Sequence, residues 1–228
     1  MAFQTHGKEK EMLSSIVVRV TGHAETSNDC TEWRALKQGE LLLPGSVIKT
    51  TTNSLVDLWL GGKPEPLRYP KSTSRRRFYV PETRYLLRIL ENSVVGIDRV
   101  AGEQMSGRTN RLQEIQLDLR AGSVAGSFPK GAGETQGLIR FTNGLSRVEY
   151  GLFTLSASGG IEVWRGKAVI SVAGRNSSRE VTGPHRFDPL ADIVTELPDA
   201  GHLHPPAVSV ELPQPQPATQ MPEPARKF

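Results

Sequence analysis

Glycine and other turn-forming residues interrupt this chain at short, fairly regular intervals. The apolar runs between them have strand length and are too short for typical helices. Ile115, Leu117 and Leu119 alternate with Gln116 and Asp118, which in a strand separates an apolar face from a polar one. Phe153, Leu155 and Ala157 do the same against Thr154 and Ser156. Ser158, Gly159 and Gly160 read as a tight turn into IEVW, and Arg165, Gly166 and Lys167 as a second turn into AVISV, so a three-stranded meander is expected. Further strand candidates lie at 16–20, 46–50, 54–60, 84–90, 138–142 and 192–195. Between 83 and 92, Leu86, Leu87 and Leu90 also fit helical spacing, and strand is the preferred reading. Strands spaced about ten residues apart predict an all-β single domain of short antiparallel strands, either a sandwich or β-solenoid-like.

A length of 228 residues suits one core with extensions. From Pro198 onward the chain carries Pro205, Pro206, Pro213, Pro215, Pro217, Pro222 and Pro224. Proline lacks the N–H that a sheet ladder needs, so residues 199–228 are expected to be a disordered Pro-rich tail, partly polyproline II, serving as a linker or docking segment. The expected boundaries are a flexible N-terminus at 1–13, an all-β domain at 14–198 with a basic loop at 63–83, and this tail. The opening MAFQTHGKEKEMLS has no apolar h-region, and nowhere is there the run of about 18 apolar residues that a membrane helix needs. Neither an export signal nor a transmembrane segment is expected from these features. Cys30 is the only cysteine, so no disulfide can form within the chain.

The formal charge of +4 is uneven. Residues 63–90 hold Lys63, Arg68, Lys71, Arg75, Arg76, Arg77, Arg84 and Arg88 against Glu65 and Glu82 alone, which leaves the rest of the chain slightly acidic. Tyr69, Phe78, Tyr79 and Tyr85 lie among these arginines, a composition suited to stacking on bases and holding phosphates. Arg68, Lys71, Arg75, Arg76, Arg77 and Arg84 are the candidate polyanion- or nucleic-acid-binding residues. Pro64, Pro66, Pro70 and Pro81 break the run, so a solvated loop is the preferred reading of segment 68–88.

No catalytic pattern stands out. GSVAG at 122–126 puts Ser123 in the wrong position for a nucleophile elbow and reads as a turn beside a strand. KGAGETQG at 130–137 contains GxG, with its next glycine one residue late for a dinucleotide fingerprint. GKA at 166–168 lacks the rest of a phosphate loop and reads as a hairpin turn. His202 and His204 have no third ligand nearby, and His6, His23 and His185 are isolated. No catalytic residue, cofactor or metal ligand is assigned, and a non-enzyme is expected.

One ordered set of turns resembles a known family. In WRALKQGELLLPGSVIKTTTNSLVDLWLGG, the residues Trp33, Leu36, Gly39, Leu42, Gly45, Ile48, Thr50, Ser54, Val56, Leu58 and Gly61 have the spacing of a FecR domain. ENSVVGIDRV at 91–100, LDLRAGSVAGS at 117–127, FTNG at 141–144, LSASG at 155–159 and GPHRFDP at 183–189 continue the likeness in order, over about residues 14–198. Gly39, Gly45, Gly61 and Gly122 suit tight turns, and Ile48, Val56 and Leu58 suit a core. The resemblance implies an all-β, non-catalytic extracytoplasmic module with a protein partner, in the periplasm or cell envelope. Family regulators relay siderophore-receptor signals to a sigma factor. This chain lacks their anti-sigma helices and membrane span, and so looks like a stand-alone FecR-domain protein. Where the family often has a "GVAGVRGT" turn, SRVEYGL at 146–152 keeps Gly151 and replaces the threonine with Leu152.

Overall fold

A computed structural model describes residues 10–61, 85–103, 111–130, 136–175 and 177–198. In chain order its strands are β1 (Glu11–Met12), β2 (Ser15–Thr21), β3 (Ala24–Ser27), β4 (Arg34–Ala35), β5 (Leu41–Leu42), β6 (Val47–Thr50), β7 (Leu55–Leu60), β8 (Leu86–Ile89) and β9 (Val94–Glu103). They continue with β10 (Arg111–Ala121), β11 (Ser123–Phe128), β12 (Gln136–Phe141), β13 (Gly144–Ser156), β14 (Ile161–Val172), β15 (Arg179–Thr182), β16 (His185–Asp188) and β17 (Ile193–Glu196). The described residues contain no helix, so the all-β expectation holds, and the strand expected at 84–90 is found at Leu86–Ile89.

The strands form one mixed sheet that curls into two facing layers. One layer runs β5–β2–β7–β8–β11–β13–β14–β16–β17. The other runs β4–β3–β6–β9–β10–β12–β13–β14–β15. Every pairing is antiparallel except that of β10 with β12. β1 pairs with the far end of β9.

The long strands β13 and β14 belong to both layers. Gly151 faces Gly166 in their register, with φ of 120° and 103°. Register shifts flank this pair at Val148/Tyr150 and Leu152/Phe153, the kind of irregularity that bends a ladder. A side chain on Gly151 would strike the carbonyl of Arg165, and one on Gly166 the carbonyl of Tyr150. This corrects two expectations. Residues 165–167 are not a turn, because Ile161–Val172 is one continuous strand, and SRVEYGL lies within β13. The turn at 158–160 is present, and Gly39, Gly45, Gly61 and Gly122 all have positive φ.

Two similar corners carry the chain between layers. At the first, Gly22 has φ 73° and Asn53 φ 55°, and Ser54 Oγ accepts the His23 N–H at 2.8 Å. At the second, Gly122 has φ 73° and Asn92 φ 53°, and Ser93 Oγ accepts the Ser123 N–H at 2.9 Å. The corners stack, because Thr52 Oγ1 bonds Asn92 Oδ1 at 3.0 Å and the Asn53 N–H donates to Glu91 at 2.7 Å. Between the layers lies one apolar core in which Val56, Leu58, Leu87 and Ile89 meet Ile48, Val95, Ile97 and Leu119. Period-two alternation supplies these side chains, and their removal from water is the main drive for closing the layers.

Candidate interaction edge

Among the described residues the sheet ends at β1, β4, β5, β15 and β17. An edge strand exposes unpaired N–H and C=O groups, and soluble proteins usually protect it with charge, proline, a bulge or brevity. β1, β4 and β5 have two residues each, Arg34 beside Glu40 guards β4, and Pro44 follows β5. On β15, Arg179 and Glu180 are engaged by Asp192 and by Lys167. β17 has no bulge and no lysine or proline within it, and its one charge, Glu196, is unpaired among the described residues. It reads Ile-Val-Thr-Glu, pairs with β16 without a register shift, and is exposed at every position.

The register fixes which backbone groups of β17 are open. The Leu197 N–H donates to the Pro184 carbonyl at 3.0 Å, and Glu196 faces His185. By antiparallel alternation, Ile193 and Thr195 bond back to β16, while Val194 and Glu196 aim both N–H and C=O outward. Val194 lies opposite Phe187, a fully buried core residue, yet is itself 39% exposed. It is the uncovered rim of the core. Glu196 makes no ion pair among the described residues.

The turn between β16 and β17 is held rigidly. Arg179 grips Asp192 through two bonds, Nε to Oδ1 at 3.1 Å and Nη2 to Oδ2 at 2.8 Å. Arg175 adds an ion pair to the same carboxylate at 2.5 Å and donates to the Pro189 carbonyl. Asp188 Oδ1 caps the Leu190 N–H at 2.8 Å, and Asp192 itself has φ 56°, a conformation that Asp tolerates better than most residues. The Arg179 hydrogen bonds, helped by the charge of Arg175, hold the Asp192 carboxyl below the usual aspartate range. At the tip of this clamped turn Leu190 is 94% exposed, and Ile193 is 52% exposed beside it. A large apolar side chain presented on a fixed turn costs little ordering when a partner covers it.

The polyanion candidates Arg68, Lys71, Arg75, Arg76, Arg77 and Arg84 lie outside the described residues, as do His202, His204 and the tail. The last arginine of that basic segment has another role. Arg88 is buried and bonds Asp57 through Nε at 2.7 Å and Nη2 at 3.0 Å. Its charge is therefore spent inside the fold. Cys30 is exposed at φ 62°, with Arg120 Nη1 at 3.3 Å from its sulfur. Among the described residues no three His, Cys, Asp or Glu side chains could hold a metal ion, and no helix is long and apolar enough to cross a membrane.

The sequence located the strand at 192–195 but did not single out Leu190, Asp192, Arg175 or Arg179. A legible signal was present: Ile193–Thr195 carries no lysine or proline to guard it, and a DPLAD turn precedes it. Comparison of the chain with protein-family models, with curated proteins and with solved structures finds no match in any of the three.

Proposed function

We propose that this chain is a non-catalytic, FecR-like interaction or sensing module that binds a protein partner at the bacterial cell envelope through the β16–β17 hairpin. The observation that carries the reading is the open edge of β17 beside a clamped, nearly fully exposed Leu190. An apolar side chain already held on a rigid turn loses little conformational freedom when a partner covers it. Support for the family likeness comes from the glycines of its ordered motifs, since Gly39, Gly45, Gly61 and Gly122 all sit at positive φ in turns.

A photo-reactive amino acid placed at Leu190 in the full chain, expressed in its native cells, tests this. A discrete protein adduct is expected in the envelope fraction from position 190, and none from the equally reactive group at Leu145, which is 41% exposed on another part of the sheet. Equal labelling from both positions, or a partner recovered only from the cytosol, would count against it.

A further inference from the structure

Resting on that interaction reading, we propose that β17 accepts an extended segment of the partner as an additional strand, and that this segment carries a basic residue two positions from an apolar one. The backbone requirement follows from register. Val194 and Glu196 each hold out one donor and one acceptor, the spacing that a further strand needs to continue the ladder. The side-chain requirement follows from what those two residues present on their shared face. Val194 continues the row begun by buried Phe187, so an apolar side chain laid beside it extends the core outward. Glu196 is exposed and without an ion pair among the described residues, so a lysine or arginine opposite it is favoured. Residues two apart on a strand share a face, which sets the spacing in the partner whichever way it runs.

The hairpin is built to receive such a segment. Arg179 and Arg175 fix Asp192, the residue immediately before β17, so the start of the strand is held in place before anything binds. Leu190 and Ile193 lie on the approach and give the incoming chain apolar surface beyond the backbone bonds. A second copy of this chain fits less well, since Ile193–Glu196 paired with itself brings no cation to Glu196. The chain's own Arg226 and Phe228 do have the required spacing, so a version ending at Pro198 is a necessary control.

The probe is a seven-residue synthetic peptide with threonine at odd positions and lysine, isoleucine and lysine at even ones, compared with a version in which glutamate replaces both lysines. With the full chain, the lysine peptide is expected to bind about five-fold more tightly and to slow hydrogen exchange at the Val194 and Glu196 amides. Val194→Pro removes one open donor without touching a bond to β16, and binding should fall by about ten-fold. Glu196→Lys should reverse the preference toward the glutamate peptide, a result that does not depend on how well the proline variant folds. Equal affinities for the two peptides, or protection elsewhere in the sheet, would overturn the proposal. So would a dimer lost in Val194→Pro with no peptide effect, which assigns the edge to a second copy. A large gain in affinity on truncation after Pro198 assigns it to the tail and also overturns it. If cross-linking from Leu190 succeeds while Val194→Pro and Glu196→Lys change nothing, the interaction reading stands and strand addition falls. If the peptide binds as expected while no envelope partner is captured, the reverse holds.

Discussion

Asp57 and Arg88 face each other across β7 and β8 and form a two-pronged ion pair on a part of the sheet where both are buried. β8 is consequently closed to solvent on both of its faces, since Leu86 and Arg88 are as hidden as Leu87 and Ile89.

Breaking that pair from one side strands a charge in a place with little water. Arg88→Met or Asp57→Leu alone should each cost about 3 kcal/mol, and the double variant should cost clearly less than the sum of the two. Urea denaturation of the three variants measures the coupling, and strict additivity would show that the two groups do not depend on each other.

The fold-over of β13 and β14 requires glycine at a specific point. Gly151→Ala drives a methyl group into the Arg165 carbonyl at a φ of 120°, so a loss of about 3 kcal/mol or more is expected. Gly174→Ala, also at positive φ but with no atom within 4 Å of the added carbon, should cost only about 1 kcal/mol. Thermal melts of the two variants side by side test whether backbone collision or φ alone sets the penalty.

Ser146 sits in the core between Ile139 and Ile170, fully buried, with its hydroxyl unpartnered. Ser146→Ala removes a polar group that gains nothing from its surroundings and should raise stability by about 1 kcal/mol. A lower denaturation midpoint would mean that the hydroxyl is satisfied in solution.

The Asp192 clamp should respond to acid. Its carboxyl is held below the ordinary aspartate value, so its contribution is present above about pH 3.9 and is lost as pH falls through the lower folded value. Amide exchange at Leu190–Ile193 should therefore quicken below that range more than exchange in β13. Asp192→Asn should show fast exchange at neutral pH with no further acid step in this turn. Unchanged exchange in that variant would remove the argument that the arginines hold the hairpin in place.

Much of this architecture was legible because it is local. A residue with positive φ, such as Gly39 or Gly122, announces a turn through its own backbone, and alternation at 115–119 announces a strand through side chains two apart. The same reasoning misread Gly166, where glycine lies in mid-strand because Gly151 crosses it closely, a condition set fifteen residues away in the chain. It also grouped Arg88 with a basic surface segment, since its partner Asp57 is 31 residues earlier.

By itself, then, the sequence determined that the described part of this protein is made of strands and tight turns, because period and backbone conformation depend on neighbouring residues. Tertiary structure alone decided which strands became open edges, which arginine was buried, and which two arginines fixed Asp192. Those outcomes depend on pairings between distant segments, and edge status belongs to the assembled sheet. The Ile-Val-Thr-Glu run of β17 would be unremarkable inside the sheet, and it offers open backbone and an uncovered core rim only because nothing described lies beside it.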